Sequence, residues 1–294
     1  MSEIDDILGT NNYSTNRNYS NYNTRNQNNW KEQQNKDRQE IYDTMDRMAT
    51  IVSNDGTKFQ EYLDIQSRFS KHSVGNCLVI LEKAPESTQI KDKKSWEEKG
   101  IELKENAKGI KILEPYESNN KRYFNPKMVY DIRQTNASIP DETINYGDRK
   151  LLEALLDGCT VPRKAVETLP NGTIGSEYNK DENILYVCKG MDRELLFQTL
   201  SQEMANIEMS NIENSDIKSF RSYCISYMIC KRYGIDVSNY DFSKLPSQIT
   251  NQKEPKGVRA EIEKIRKNFE EINGRMSDYF SRSNKEKNKS NPER

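Results

Sequence analysis

A chain of 294 residues with a mean hydropathy of −1.00 is long enough for two modest domains but too polar to be packed throughout. Because its formal net charge is −1, the protein as a whole is not attracted electrostatically to nucleic acid or to an anionic membrane. Any such binding must depend on a local patch of positive charge. No apolar run approaches the ~20 residues of a membrane span, and the acidic N-terminus lacks the apolar core of a signal peptide. We therefore expect a cytoplasmic protein without a membrane partner.

The cysteines indicate a reducing environment. The chain has five of them, none in a CxxC pair, and most occur among apolar residues. They are Cys77, Cys159, Cys188, Cys224 and Cys230. We expect reduced core thiols rather than disulfides or metal ligands.

The two ends of the chain are its most polar parts. Residues 10–36 consist mainly of Asn, Tyr, Ser, Gln and Arg, a composition that buries too little apolar surface to offset chain entropy. This predicts a disordered Asn- and Tyr-rich tail over residues 1–40 and a lysine-rich disordered tail over residues 282–294. The sequence does not decide whether the first tail only aids solubility or stacks weakly on nucleic acid.

Residues 41–135 are predicted to form a small α+β domain that begins with a helix over about 40–66. The apolar residues of that segment recur at helical spacing. They are Ile41, Met45, Met48, Ile51 and Val52. A second helix is expected to start at Ser95, whose side chain can cap free backbone N–H groups, whereas the apolar run 77–81 is too short to be assigned.

The rest of this domain has the alternation of strands. Three segments alternate apolar and polar residues, and a polar turn at 117–121 separates the first from the other two. The segments are 109–113, 122–124 and 128–132. Residues 136–148 then contain Pro140 and Gly147 in a polar context, which predicts a linker.

Residues 149–281 are predicted to form a second small α+β domain. A helix near 148–156 is followed by two strands around a turn at 179–181, and Asp192 is expected to cap the helix after them. Another helix should end at Gly234, because glycine is common just after a helix C-terminus.

A regular apolar seam occupies the end of this second region. Its residues repeat at intervals of four and three, the spacing of a helix face that packs on another helix. They are Val258, Ile262, Ile265, Phe269, Ile272 and Met276. Such a seam can pack within the chain or pair with a partner helix, and we expect the first because short isolated helices are marginal in water.

The segment 202–206 has the frame of a zinc-peptidase helix without its two histidines. In the H-E-x-x-H motif, two imidazoles one turn apart hold Zn²⁺, and the glutamate between them acts on the bound water. Here Glu203 remains, while Gln202 and Asn206 offer neutral amides, which are poor zinc ligands. Since His72 is the one histidine of the chain, an ordinary three-ligand zinc site is hard to assemble.

Residues 62–135 contain a series of short motifs in a characteristic order. They are F-S at 69–70, N-C-L-V-I at 76–80, K-S-W-E-E-K-G at 94–100, K-G-I-K-I-L-E-P at 108–115 and V-Y-D-I-R-Q-T at 129–135. In this order they resemble the N-terminal domain of ArdC-type antirestriction proteins, which occur on conjugative plasmids and integrative elements. The resemblance implies binding of single-stranded DNA without sequence preference.

Residues 150–240 resemble the zincin-type metallopeptidase domain that follows in that family, a domain related to the ImmA/IrrE group. The order of strands and helices before Glu203 fits, and so does S-Y-M-I-C-K-R-Y-G at 226–234. With the N-terminal part, the resemblance covers about two thirds of the chain and implies a zincin-like fold for the second domain.

This chain departs from the family pattern at the metal ligands. The resemblance implies zinc histidines at Gln202 and Asn206 and an acidic ligand near Ser222 or Tyr223, and none of these residues is of the required type. Glu203 alone is carried over, and without a metal it has no water to activate. We therefore predict a degenerate domain with no catalytic residue, no metal and no cofactor.

Binding to single-stranded DNA requires cations along the phosphates and flat rings on which bases stack. The candidates are Arg68, Lys71, Asn76, Lys91, Lys93, Lys94, Trp96, Lys108, Lys111, Tyr123 and Tyr130, with Tyr116 and Phe124 as further rings. Interspersed acidic residues dilute the charge, so affinity should be modest and fall steeply with salt. Alternatively, Trp96 is a core anchor, and the lysines at 91–94 form a solvated face.

Three functions of different classes fit these observations. The first is a non-enzymatic protein of a mobile element that binds and protects single-stranded DNA, or that blocks a host nuclease or restriction protein. The alternative is a pseudo-peptidase whose old cleft grips a host or element-encoded protein. A third retains metallopeptidase activity through an unrecognised ligand set. We expect the first, because the N-terminal resemblance is the stronger one.

Overall fold

The computed structural model describes residues 4–118, 120–138 and 146–290, with side chains from residue 29 to residue 285 apart from residue 148. Within these ranges, helices and two small three-stranded sheets make an α+β fold, as the sequence predicts. No helix in the same ranges combines the length and the apolar character that a membrane crossing requires.

Three helices form the N-terminal part: α1 at Ile4–Asn54, α2 at Gly56–Arg68 and α3 at Val74–Lys83. The single helix predicted over 40–66 is therefore wrong. Asp55 separates α1 from α2 and caps the latter, because its carboxylate accepts from the N–H of Lys58 at 3.0 Å. At Gly56, a Cβ atom would lie 1.9 Å from the carbonyl oxygen of Phe242, so only glycine fits at this close approach.

The packed part of the chain extends beyond both predicted tail boundaries. Asp37 forms an ion pair with Lys111 at 2.6 Å, ahead of the boundary predicted at residue 40. At the other end, Arg282 bonds to Asp157 at 2.5 Å. These contacts are polar, so a pattern of apolar residues does not reveal them. Of the predicted tails, residues 1–3 and 291–294 lie outside the described residues.

The first sheet has the order β1-β3-β2, with antiparallel neighbours. Its strands are β1 at Ile90–Lys91, β2 at Ile110–Ser118 and β3 at Lys121–Asp131. The predicted segments 122–124 and 128–132 thus belong largely to one strand. We call β2 and β3 with the turn between them the hairpin. Helix α4 at Lys93–Glu97 is capped by Asp92 rather than by Ser95, whose N–H donates to the Asp92 carboxylate at 2.9 Å.

The second sheet has the order β4-β6-β5, in which β4 is parallel and β5 antiparallel to β6. The strands are β4 at Arg163–Val166, β5 at Ser176–Asn179 and β6 at Ile184–Cys188. The sequence predicts the second and third of these but not β4, because the residues of β4 are mostly exposed and show no apolar alternation.

Four further helices belong to this region, and one of them, α6, packs against β5 of the second sheet. They are α5 at Asp148–Asp157, α6 at Arg193–Glu208, α7 at Ser215–Arg232 and α8 at Ser247–Thr250. The predicted cap of α6 is confirmed, since the carboxylate of Asp192 accepts from the N–H of Leu195 at 3.0 Å. The predicted end of α7 is also confirmed, because Gly234 follows it with φ at 72°, in the left-handed region that favours glycine.

The apolar seam lies on α9, Pro255–Ser290, and it packs within the chain as predicted. All six of its residues are buried, and α9 contacts α1, α3, α5, α6 and α7. A buried ion pair between Arg221 of α7 and Glu261 of α9 links the two helices, with Nε and Oε1 at 2.7 Å. The apolar face of the seam is therefore covered within the chain, and no partner helix is needed to bury it.

The two regions that the sequence separates share one hydrophobic core. Met48 and Leu78 of the first region belong to the same buried cluster as Leu155 and Phe269 of the second. The contact is also polar, since the hydroxyl of Tyr227 donates to Asp64 at 2.6 Å. The domain boundaries stay a prediction, and residues 139–145 of the predicted linker lie outside the described residues.

The five cysteines are free thiols, and three of them are core residues as expected. Burial raises the pKa of Cys77 and Cys224, and it raises the pKa of Cys230 to about 12. Cys159 and Cys188 are half-buried instead. The neutral thiol is thus the favoured form of the three core cysteines, which agrees with a structural role.

We expect Phe269→Ala to lower the free energy of unfolding by about 3–5 kcal/mol, because the ring is fully buried at the centre of the seam. Urea denaturation followed by circular dichroism measures this change. Lys267→Ala, on the exposed face of the same helix, is the matched control and should change stability by less than about 0.5 kcal/mol. Equal effects of the two substitutions would contradict the packing described here.

Candidate functional site

The segment 202–206 lies on α6 beside the second sheet. Glu203 Oε2 accepts from the backbone N–H of Tyr178 in β5 at 3.0 Å and from Nδ2 of Asn206 at 3.3 Å. Gln202 and Asn206 are half-buried. The glutamate therefore joins the sheet to the helix instead of standing free in a cleft.

Burial is the main influence on the charges around Glu203. It raises the pKa of Glu203, although hydrogen bonds from Tyr178 and Asn206 oppose the shift. It lowers the pKa of Lys218 on α7, whose Nζ lies 5.8 Å from the ring centre of Tyr178. Attraction between Glu203 and Lys218 opposes both shifts, so each group favours the charged form of the other.

The residues at the positions of the family's ligands do not fit zinc. Asn206 turns its amide to Glu203, and the Ser222 hydroxyl donates to a backbone carbonyl of its own helix at 3.0 Å. The Tyr223 oxygen accepts from a backbone N–H at 2.7 Å. In the part of the chain that the structure describes, no group of three His, Cys, Asp or Glu side chains is placed to hold a metal ion.

The outer end of the hairpin carries exposed aromatic rings. Tyr116 and Tyr123 are paired across the two strands, with ring centres 5.3 Å apart and 25° between the ring planes. Their exposed fractions are 42% and 41%, and that of Phe124 is 40%. Because adjacent residues of a strand face opposite sides, the tyrosines cover one face of the hairpin and Phe124 the other.

Side chains of α1 and α3 form hydrogen bonds with the backbone of the hairpin. Asn76 is buried in α3, where its Nδ2 donates to the carbonyl of Leu113 at 2.8 Å and its Oδ1 accepts from the N–H of Leu113 at 2.9 Å. Arg38 of α1 donates to the carbonyl of Phe124 at 3.1 Å. The exposed rings thus extend from a fixed base.

The structure places three of the predicted DNA-binding residues in internal contacts. Asn76 binds the backbone of β2, and Trp96 is fully buried with its Nε1–H donating to the carbonyl of Tyr130 at 3.0 Å. Arg68 donates to two carbonyls of the loop after α3, each at 2.7 Å. These side chains hold strands and loops together, so they do not belong to the candidate interface. For Trp96, the core-anchor interpretation applies.

The other predicted DNA-binding residues lie at or near the surface. Lys71, Lys93, Lys94 and Lys108 are exposed, whereas Lys91, Lys111 and Tyr130 are half-buried. Lys93 and Lys94 form ion pairs with acids of their own helix, at 3.6 and 3.8 Å. Lys91 Nζ lies 5.7 Å from the centre of the buried Trp96 ring. Contact of these residues with DNA stays a prediction.

Two cations beside the exposed rings are missing from the sequence-based candidates. Lys121 and Arg122 are exposed at the start of β3, and the Arg122 guanidinium lies 5.7 Å from the ring centre of Phe124. The run K-R-Y-F at 121–124, two cations directly followed by two rings, is the signal that identifies them.

A cavity of about 360 Å³ opens at the inner end of the hairpin, against the loop that follows α3. We call it the hairpin-base cavity. Polar and apolar side chains both line it, among them Lys83, Ser87, Lys108, Ile110, Asp131 and Arg133. Of the sequence-based candidates, this lining contains Lys108 alone, because the residues around the cavity are spread over a long stretch of sequence.

Neither a family model nor a curated protein matches this sequence. Solved structures with a similar chain include two of the antirestriction ArdC protein from the R388 plasmid, one metal-free and one bound to Mn(II). They share 10% and 13% sequence identity with this chain, each with a TM-score of 0.44. The alignments cover 69% of this chain and 85% and 83% of those chains. A likeness of this size is weak, so we infer the function from the geometry of this chain.

Asn76→Ala should lower the free energy of unfolding by about 2 kcal/mol or more, because it leaves a buried N–H and a buried carbonyl of Leu113 without partners. Urea denaturation measures the loss. Asn211→Ala, at an exposed position between α6 and α7, serves as the control. If both variants unfold at the same urea concentration, Asn76 does not hold the hairpin.

Glu203→Gln should raise the free energy of unfolding at neutral pH, because the fold favours the protonated carboxyl and glutamine can still accept from Tyr178. A carboxyl whose pKa rises on folding loses stability as the pH increases from its ordinary value of 4.5 through the folded value. The gap between variant and parent should therefore close as the pH falls to about 4.

Urea denaturation between about pH 4 and about pH 8 measures this gap. Glu213→Gln, at an exposed position before α7, is the matched control and should show no such trend. A gap that stays constant with pH, or a variant that is less stable at neutral pH, would contradict the burial effect at Glu203.

Proposed function

We propose that the outer end of the hairpin binds single-stranded DNA without sequence preference. The observation that carries this proposal is the exposed pair Tyr116–Tyr123, with Phe124 on the opposite face. Large aromatic rings are usually buried in water-soluble proteins, whereas these lie at the end of a strand pair that nothing in the described chain covers. Every base has a flat face, so stacking on such rings is tolerant of sequence.

The local charge of the hairpin supports binding to a phosphate backbone. Residues 108–133 contain six lysines and arginines and three acids, a local net charge of +3 in a chain whose total is −1. Lys121 and Arg122 adjoin the rings, which brings cations and stacking surfaces together. Since few cations are involved, the affinity should be modest and should fall as salt rises.

Rigid support of the rings favours binding further. The bonds from Asn76 and Arg38 fix the backbone behind the tyrosines before any ligand arrives. A surface that is already ordered loses less conformational entropy on binding than a mobile one does. The net free energy of binding is therefore more favourable for a strand that stacks on this surface.

The biological role we propose is of antirestriction type, in which the protein protects or handles the transferred single strand of a mobile element. The motifs between residues 62 and 135 that resemble the ArdC N-terminal domain support this role. We propose that the enzyme whose action it prevents is a host nuclease or restriction protein. Such a role places the protein in the cytoplasm, where the incoming strand arrives.

We propose in addition that the segment 202–206 has no peptidase activity. Glu203 is engaged by Tyr178 and Asn206, and the amides of Gln202 and Asn206 replace the two imidazoles that the family's chemistry requires. A general base in such an enzyme acts on metal-bound water, whereas here the carboxylate of Glu203 accepts hydrogen bonds from the protein itself. This region then has a structural role, as the junction of α6 with the second sheet.

Replacing both Tyr116 and Tyr123 by alanine should weaken binding of a labelled oligodeoxythymidine of about 16 nucleotides by roughly tenfold or more, since each stacked base contributes about 1–3 kcal/mol. Fluorescence anisotropy across a salt series measures the affinity. Tyr123→Phe keeps the ring and should bind like the parent protein. Arg122→Ala should lower affinity and also reduce the slope of log affinity against log salt by about one.

The control for an unspecific surface effect is Ile174→Ala, which removes an exposed apolar side chain distant in sequence from the hairpin. Duplex DNA of the same length should bind less well, because its bases are not free to stack on the tyrosines. Absence of binding at low salt, or unchanged binding by the tyrosine variant, would refute this function and favour the interaction-module alternative.

A further inference from the structure

The hairpin-base cavity lies at the opposite end of the hairpin from the tyrosines. Its walls are formed by Ile110 and Val129, which are paired across β2 and β3, and by the loop between α3 and β1. Its volume of about 360 Å³ falls within the usual range for small-molecule sites and exceeds what a bare ion needs. The mixture of apolar walls and polar groups suits a ligand with both characters.

The loop after α3 forms a fixed wall of this cavity. Arg68 donates to the carbonyls of Pro85 and Ser87, at 2.7 Å each. Asp131 at the end of β3 accepts from the N–H groups of Thr88 and Gln89, at 2.8 and 3.2 Å. The wall is thus bonded to a helix on one side and to the sheet on the other, so the cavity needs no rearrangement to exist.

The charged groups of the cavity favour an anion. Lys83, Lys108 and Arg133 face one acid, Asp131, which is already engaged by Arg133 Nε at 2.7 Å as well as by the loop. Burial opposes ionisation of Asp131, but these hydrogen bonds hold its pKa below its ordinary value. Arg133 donates to Asp131 through Nε, and within the described part of the chain its two Nη groups have no hydrogen-bond partner. Lys83 also reaches Glu82 outside the cavity, at 3.2 Å.

Ser87 provides an independent sign of a ligand. Its side chain is fully buried, it lines the cavity, and its hydroxyl has no hydrogen-bond partner among the described residues. A buried hydroxyl without a partner costs free energy, and such groups are uncommon in folded proteins. A ligand oxygen in the cavity would give this hydroxyl the acceptor that the protein does not provide.

We propose that the hairpin-base cavity binds the phosphate monoester of a nucleotide. Lys83, Lys108 and Arg133 neutralise the phosphate, Ser87 donates one further hydrogen bond, and the apolar walls take the sugar or base. The choice of a nucleotide over another phosphate monoester rests on the function proposed above. Tyr116 lies six residues after Ile110 along β2, which corresponds to about 20 Å, a distance that a short run of unstacked nucleotides can cover. The ligand is therefore a free nucleotide or the phosphorylated end of a strand that lies on the hairpin.

Titration calorimetry of the full chain with thymidine 5′-monophosphate, and with thymidine as the ligand without phosphate, tests the cavity directly. We expect the monophosphate to bind roughly tenfold more tightly, because only its phosphate can accept charge-assisted hydrogen bonds from Lys83, Lys108 and Arg133. Ser87→Ala and Lys108→Ala should each weaken this binding. Among the described residues, neither side chain forms a hydrogen bond that its substitution would remove, so both variants should fold. Lys253→Ala, at an exposed position before α9, is the control.

Repeating the titration with the variant that lacks both Tyr116 and Tyr123 separates this proposal from the function proposed above. If the monophosphate binds that variant as well as the parent protein, the cavity is supported even where no strand binds. Equal affinity for the monophosphate and thymidine, or no binding of either, overturns the proposal. So does monophosphate binding that Ser87→Ala and Lys108→Ala leave unchanged.

Anisotropy with strands that carry a 5′-phosphate, a 3′-phosphate or only hydroxyl ends then identifies the source of the phosphate. A preference for one phosphorylated end that Lys108→Ala removes supports the strand end as the ligand. Equal binding of the three strands, together with binding of the monophosphate, supports the free nucleotide instead.

Discussion

The apolar stripe of α9 is the surface on which both regions of this chain fold. Helices from the N-terminal half, α1 and α3, pack against it alongside α5, α6 and α7 of the other half. The stripe is continuous from Val258 to Phe280, and every one of its large apolar side chains is buried. Removing it from water is a dominant favourable term for the whole chain, because that term grows with buried apolar area. The helices that pack on α9 in turn contact the sheets, α1 and α3 the first and α6 the second.

The segment 202–206 and the hairpin differ in whether their polar and aromatic side chains already bond within the protein. In the segment 202–206, Glu203 bonds to Asn206 and to the backbone of β5, so its carboxylate is used within the fold. The hairpin is the reverse case. Its backbone is bonded to α1 and α3, while its rings and cations stay open to solvent. Where polar and aromatic groups remain uncommitted, a ligand can still be recognised, and that contrast directs attention to the first sheet.

Much of the fold could be predicted where a strong local pattern coincides with burial. The seam on α9, the strands of the hairpin, the Asp192 cap and the stop at Gly234 all have this property. The interruption of the first helix at Asp55 was missed, because the apolar residues on its two sides continue at helical spacing. The strand β4 has no apolar face to reveal it.

The sites were harder to predict than the fold for a related reason. Asn76 is a polar residue in an apolar run, and only the tertiary structure shows that it pairs with the backbone of Leu113. Trp96 is a candidate for base stacking by residue type, but it is fully buried and anchors the core, the alternative that the sequence also indicates. The hairpin-base cavity combines residues from 83 to 134, which no sequence window brings together.

The common hydrophobic core also has a consequence for the evolution of the chain. A recombination event within 136–148 that exchanged one half for a distant homologue would separate surfaces that bury each other, so the two halves must diverge in step, as a single heritable unit.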